Sequence, residues 1–242
     1  AIIHIAHADF GVKSKVPIYY VHYILEPKEL KIDEELYKIK HKKIGIVTSL
    51  QYIKYVDIVE KKLKDLGFEV YKAKTLEYEA QILGCNISAA KVIEDKVDAF
   101  LVISEGTFYP LALILNTEKP IYFLDLEKQE IKDISFLREK YRKIIAWNYS
   151  KFEEAKEVGI VVSSKKGQIF FDPFKVKEIL EKLGKKCYIF AMDEINQENL
   201  IGIEVDCLIN IACPRIFDDI EKFKIPFINF IDLMKYKKIY EH

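Results

Sequence analysis

This 242-residue chain contains four cysteines: Cys85, Cys187, Cys207 and Cys213. Two of them stand at the boundaries of regular elements, in Gly84-Cys85-Asn86-Ile87-Ser88 and Asn210-Ile211-Ala212-Cys213-Pro214-Arg215. The thiolate is the form of cysteine that binds metal, so position and electrostatics decide which thiols are useful. Cys85 precedes a predicted helix that Asn86 or Ser88 caps and Ala89, Ala90 and Ile93 continue. Amides at a helix start favour a thiolate. Cys213 follows the predicted strand CLINIA at its carboxyl end, where open α/β sheets place their ligands. Pro214 suits the first helical turn beyond it. Lone cysteines so far apart point to ligands brought together from separate domains. The competing reading is an inert buried thiol. That reading wins for Cys187 and Cys207, which fall inside or at the start of apolar strands.

The elements that position these residues repeat along the chain. Asp98–Leu126 and Asp206–Leu233 both open with Asp and an apolar strand, pass through a helix-length segment, and end at a second apolar strand after Pro120 or Pro226. Upstream, KIGIVTS (43–49) mirrors VGIVVSS (158–164), and LKDLGFEVYKA (63–73) mirrors LEKLGKKCYIF (180–190). The opening AIIHIAHADF overlays AFLVISEGTF (99–108), with Phe10 on Phe108, and VPIYYV (16–21) resembles PIYFL (120–124). Self-similarity of this kind marks a supersecondary unit used more than once. The first copy is expected to consist of its last strand–helix–strand part alone, so that a third cysteine is missing. The overlay makes His7, Glu105 and Cys213 equivalent strand-end residues that face one shared centre. His4 and His7, three apart, are predicted to point to opposite sides of an extended strand, with His4 a satisfied core histidine.

Strand-like runs such as IGIVTS, AFLVIS, IYFLDL, GIVVS, CYIFA and CLINIA are apolar throughout, as parallel strands covered on both faces must be. Helical spacing separates them: Tyr52, Val56, Val59, Leu63 and Leu66 before Gly67, and Val176, Ile179, Leu180 and Leu183 before Gly184. The fold class is α/β, with repeated open parallel-sheet domains and an incomplete first domain. The predicted divisions are a domain-1 remnant over 1–38, a second domain over 39–146 and a third over 147–242. The charged stretch 27–43 reads as a linker. Lys+Arg and Asp+Glu number 38 each, so no net field points to nucleic acid or to an anionic membrane. Half the residues are apolar, yet no run approaches the ~20 needed to span a bilayer. Cysteines without paired spacing read as cytosolic thiols, which places the protein in the cytoplasm.

ILGCN (82–86), IVVSSKKGQ (160–168), EGTFYPLAL (105–113) and INIACPRIFDD (209–219) together resemble the archaeal, single-polypeptide family that catalyses the first step of diphthamide biosynthesis. The opening IHIAHADFG resembles that family's His-x-Gly-His segment, with Ala6 in place of the glycine. FFDPF (170–174) resembles its Asp-Pro-aromatic segment. The likeness runs along essentially the whole chain, and the ACPRI-x-DD and SSKKGQ pieces are its most specific parts. It implies three related α/β domains in a pseudo-threefold arrangement, each giving one cysteine to a [4Fe-4S] cluster. Cys85 matches the second-domain ligand and Cys213 the third. It further implies S-adenosylmethionine as cofactor and transfer of its 3-amino-3-carboxypropyl group, by a radical route, to C2 of a histidine in translation elongation factor 2. An external electron donor and a homodimer complete the expectation. With two of three ligands in its sequence, the chain by itself is expected to be poor in cluster and inactive.

The remaining candidates belong to that cofactor. Ser163, Lys165, Gly167 and Gln168 lie in a loop whose amides and hydroxyls suit the carboxylate or amine of the methionine moiety. The alternative is an ordinary polar loop. Arg215 suits a carboxylate or the cluster's charge, against a salt bridge to Asp218 or Asp219. His7 is placed at the site, and Asp172 reads as a helix N-cap. Two other functions stay open at this level: a dehydratase resembling quinolinate synthase, also with a three-cysteine [4Fe-4S] cluster, and a non-catalytic α/β module that closes on a small ligand.

Overall fold

The structure is a computed structural model that describes every residue except 10, 12, 13, 166, 167, 169, 241 and 242, and the side chains of 237–240. The chain forms two compact units, Ala1–Glu139 and Lys140–His242.

The first unit opens with β1 (Ile2–Ile5) and β2 (Ile18–Val21), a parallel pair. The charged stretch that follows holds the single-turn helix α1 (Asp33–Leu36). It is no free linker, because Leu30, Ile32, Leu36 and Ile39 are buried in the same core as Ile44, Val59 and Leu101. Next come β3 (Lys43–Thr48), α2 (Tyr55–Asp65), β4 (Glu69–Tyr71), α3 (Ser88–Lys91), β5 (Ala99–Ser104), α4 (Phe108–Ile114), β6 (Ile121–Asp125) and β7 (Glu130–Asp133). The sheet runs β4-β3-β5-β6-β7, and β7 alone is antiparallel. Every residue of β5 and β6 is buried, which is why neither strand alternates polar with apolar. Tyr55, Val56, Val59 and Leu63 form the buried stripe of α2, as the spacing predicts, whereas Tyr52 lies in a preceding 3₁₀ turn.

The second unit carries most of α5 (Leu137–Glu154), then β8 (Glu157–Ser163), α6 (Pro173–Lys182), β9 (Lys186–Met192), β10 (Cys207–Asn210), β11 (Phe227–Asn229) and α7 (Phe230–Tyr240). Its order, β9-β8-β10-β11, reproduces β4-β3-β5-β6, and all its pairs are parallel. Asp172 caps α6, accepting from the Phe174 and Lys175 amides at 2.9 and 3.5 Å. The buried stripe of α6 is narrower than its spacing predicts: Val176 and Leu180 are enclosed, while Ile179 and Leu183 remain more than one-third exposed.

Three repeated contacts explain the sequence repeat. Asp98 accepts from the Lys43 amide, and Asp206 from the Lys156 and Glu157 amides, so each aspartate ties the start of its strand to the neighbouring one. A proline carbonyl before the last parallel strand accepts from the preceding strand in all three copies: Pro17 from Ile2, Pro120 from Phe100, Pro226 from Leu208, at 2.8–2.9 Å. Gly45 lies opposite Phe100, and Gly159 opposite Leu208. A β-carbon on Gly45 would sit 2.7 Å from the Phe100 ring, and one on Gly159 2.7 Å from Leu208 and 2.9 Å from Phe190. Phe100 and Leu208 are fully buried and have no free space to yield. Gly45→Ala and Gly159→Ala should therefore each lower the stability by about 1–3 kcal/mol, the usual cost of overpacking. Urea unfolding checks this, and unchanged midpoints would show that the close approach is not a constraint.

Candidate functional site

In the first unit the chain after β4 returns beside β3. The Thr48 amide donates to the Ala80 carbonyl at 2.9 Å, and the Ile82 amide to the Thr48 carbonyl at 2.8 Å. Leu83 and Asn86 then exchange both backbone hydrogen bonds, at 2.8 and 3.2 Å. Gly84 and Cys85 are thus the middle of a tight turn, and the Cys85 thiol is exposed at its tip. Gly84 is needed because any β-carbon there would overlap the Phe108 ring. Asn86 Oδ1 accepts from the Ser88 amide at 3.0 Å and so opens α3. That helix is one turn long and starts three residues beyond Cys85. Cys85 thus precedes a helix, with Asn86 at its start as expected, but the α-helix is a single turn that stops short of Ile93 and puts little helix dipole behind the thiol.

Cys85 and His7 line one cavity of about 330 Å³, together with Leu50, Gln51 and Tyr109. The prediction that His4 and His7 diverge is also corrected. The strand ends at Ile5, and Ala6 takes φ 67°, a conformation that glycine adopts more readily. The turn brings the two imidazoles edge to face at 4.7 Å, while His7 Nδ1 lies 3.1 Å from the Ile5 carbonyl. His4 is not the satisfied core residue expected, because among the described residues its buried Nδ1 has no hydrogen-bond partner. Glu105 stands exposed beyond the end of β5, near enough to Tyr52 for its charge to act on the phenol. Burial, reinforced by Glu105, pushes the Tyr52 phenol up to about 12.

In the second unit, β10 delivers Ile211, Ala212 and the partly buried Cys213. Pro214 begins a 3₁₀ segment, Pro214–Lys222, where an α-helix was predicted. Asn210 and Asn229, both buried, hold this bend. Asn210 Oδ1 accepts from the Ala212 amide at 3.0 Å, and Asn210 Nδ2 donates to the Cys213 carbonyl at 3.0 Å and to Asn229 Oδ1 at 2.8 Å. Asn229 Nδ2 donates to the Pro214 carbonyl and to Asp232 at 3.2 Å each. Arg215 pairs with Asp218, the salt bridge that helix spacing offered as its alternative role. Burial outweighs the guanidinium and raises the Asp218 carboxyl to about 6.

The loop after β8 lies alongside, since the Phe170 amide donates to the Ile211 carbonyl at 3.4 Å. Ser163 is buried and donates to Gln168 Oε1 at 3.2 Å while accepting from the Lys165 amide at 3.1 Å. Lys165 Nζ lies 3.9 Å from Glu194. These polar atoms have partners within the fold, so a bound carboxylate would have to displace or extend them. Gly167 lies outside the described residues.

The other two thiols serve the core. Burial pushes Cys187 up to about 11 and Cys207 up to about 12, which leaves both protonated at neutral pH. Among the described residues no three His, Cys, Asp or Glu side chains are grouped closely enough to hold a metal ion. The donor chemistry nevertheless fits iron: each unit offers one accessible or half-accessible thiol on a loop at the carboxyl edge of its sheet. Sequence reasoning missed the roles of Asn210, Asn229, Tyr52 and Tyr109. The asparagines did leave a signal, being polar residues that end otherwise apolar strands.

A family model described as "Putative diphthamide synthesis protein" matches residues 1–238. The 2-(3-amino-3-carboxypropyl)histidine synthase of Pyrococcus horikoshii is 28% identical over 237 residues, covering 93% of this chain and 67% of its own length. The enzyme of the same name from Methanocaldococcus jannaschii is 28% identical over 247 residues, covering 93% and 64%. The crystal structure of Dph2 from Pyrococcus horikoshii with a 4Fe-4S cluster is similar at a TM-score of 0.78 and 26% identity, over 94% of this chain and 67% of that one. A second crystal structure of Dph2 from the same organism gives 0.79. The chain thus spans about two-thirds of the length of these relatives.

Thiol reactivity tests the division among the cysteines. Iodoacetamide at pH 8 should modify Cys85 first and leave Cys187 and Cys207 intact in the folded protein, because pH 8 lies well below both raised values and alkylation needs the thiolate. Peptide mass mapping reads the order. Modification of Cys187 or Cys207 ahead of Cys85 would overturn the assignment.

Proposed function

The chain belongs to the diphthamide synthesis protein family, and from that membership we propose that it acts in the first step of diphthamide biosynthesis. The reaction is transfer of a 3-amino-3-carboxypropyl group from S-adenosylmethionine to C2 of a histidine in elongation factor 2. One observation supports this reading above the others. Of four thiols, the two that stand on loops at the carboxyl edges of kindred sheets are the two that the sequence resemblance implies as cluster ligands.

Cys85 and Cys213 would hold iron of a [4Fe-4S] cluster. When bound, the reduced cluster supplies the electron that breaks the bond between the sulfonium sulfur and the methionine γ-carbon. The protein's own residues bind, orient and shield. His7 and Tyr109 wall the cavity beside Cys85, where a ring or an adenosyl group can be held out of water. Ser163, Lys165, Gly167 and Gln168 would take the carboxylate or amine of the methionine moiety, and Arg215 would offset the negative charge near Cys213 while Asp218 fixes its guanidinium. Holding the reacting groups in register is where such a site gains rate. The proposal extends to an external electron donor, a homodimer and a cytoplasmic location. A ligand-binding module without catalysis would keep its ligand when either cysteine is replaced.

Anaerobic reconstitution with iron and sulfide, reduction by dithionite, and incubation with carboxypropyl-labelled S-adenosylmethionine and elongation factor 2 test the reading. The longest natural form of the protein should move label to a histidine, and Cys85→Ala or Cys213→Ala should abolish the transfer. Absence of label on histidine in a fully loaded preparation would refute the function.

A further inference from the structure

The strand pairing gives an internal standard for Asn210 and Asn229. Phe100 and Leu208 are equivalent, since each faces the strand glycine and each donates to the proline carbonyl. Two residues on, Val102 pairs with Phe123 in the first unit, and Asn210 pairs with Asn229 in the second. Three residues further, Glu105 and Cys213 leave their strands. The sheet therefore closes at this point with an apolar pair. Of the two complete copies, only the one whose strand end at this place leads to a cysteine replaces that pair with two buried amides. Burying two primary amides is costly unless every N–H finds an acceptor. Here all four do: Asn210 Nδ2 serves the Cys213 carbonyl and Asn229 Oδ1, and Asn229 Nδ2 serves the Pro214 carbonyl and Asp232. The Ala212 amide completes the set on Asn210 Oδ1. The Ala212 amide before Cys213, and the Cys213 and Pro214 carbonyls after its α-carbon, are thus held by side chains rooted in adjacent strands, which restrains the backbone on both sides of the Cys213 side chain.

The geometry points to Asn210 and Asn229 as positioning residues for the Cys213 thiol: a buried amide clamp that presets the direction of the sulfur toward iron. The inference rests on the cluster reading for its purpose, and on the hydrogen bonds alone for its effect. Ligands preset by a surrounding shell bind metal with less reorganisation, and loss of such a shell commonly lowers metal affinity about 10–100-fold.

Asn210→Val installs the residue that the sister copy carries at the same place, so the sheet retains a side chain it is known to accommodate. Asn210→Thr restores an acceptor for the Ala212 amide and one donor. In the iron-free chain, the rate of Cys213 alkylation by iodoacetamide is measured against Cys85, which lies in the other compact unit and serves as the internal reference. Asn210→Val, which loses the three bonds of the Asn210 side chain, should change the Cys213/Cys85 ratio at least about fivefold, the factor that a single net hydrogen bond is worth, and Asn210→Thr should return it toward the wild-type value. The same variants are then reconstituted, and iron per chain and the electron paramagnetic resonance spectrum of the reduced protein are recorded. Lower iron or an altered spectrum in Asn210→Val supports the clamp. A folded Asn210→Val with a lower melting temperature but an unchanged thiol ratio and spectrum overturns it, because a merely structural pair would behave that way. Should Asn210→Val not fold, Asn229→Ala, which releases the Pro214 carbonyl and Asp232 and takes one acceptor from Asn210 but leaves Asn210's bonds to the Ala212 amide and the Cys213 carbonyl in place, decides by the same ratio. A wild-type protein whose longest form takes up no iron defeats the cluster reading instead, and the alkylation ratio still decides whether the clamp exists.

Discussion

Burial of parallel strands on both faces is the constraint from which this protein's chemistry follows. In β5, β6, β10 and β11 every residue is enclosed. A strand covered by helices on both sides has no solvent-facing row from which to present a functional group. Polar side chains can then emerge only where strands end, and in an open α/β sheet the carboxyl ends are the free ones. Cys85, Glu105, Ser163 and Cys213 all stand at that edge of their own sheet. The thiols that remain inside the strands, Cys187 and Cys207, are pushed toward permanent protonation by the same burial.

A second consequence is that function can change by substitution at fixed points of a common frame. The proline-carbonyl bond, the strand-start aspartate and the strand glycine reproduce one backbone, so the residue that leaves the third strand occupies the same place each time. It is Glu105 in one unit and Cys213 in the other. The pair behind it changes with it, Val102–Phe123 against Asn210–Asn229. The frame absorbs both pairs without a change in strand order.

Much of this was legible in the sequence because it rests on pattern. Apolar runs identified the parallel strands, the repeat located equivalent strand ends, and Asp172-Pro173 marked a helix start. The two exposed-edge cysteines were separable from the two core cysteines by position alone. What the sequence concealed depends on local backbone geometry or on long-range packing. The left-handed conformation of Ala6 bends the chain just past the strand and brings together two histidines that an extended strand would separate. The stretch 27–43 looks like a linker by charge, yet its sparse apolar residues Leu30, Ile32, Leu36 and Ile39 are all buried. Strand β7 is short and polar on its outer side and gave no periodic signal. The asparagine clamp joins residues that are nineteen apart, a pairing that only the sheet register reveals.

The central proposal is that Cys85 and Cys213 serve one iron–sulfur cluster. Iron and sulfide content after anaerobic reconstitution of the longest natural form, compared among Cys85→Ser, Cys213→Ser and the double variant, tests it most directly. Ligands of a single cluster are non-additive, so each single variant should lose as much iron as the double. Half-losses that sum, or iron retained until Cys187 or Cys207 is replaced, would contradict the account.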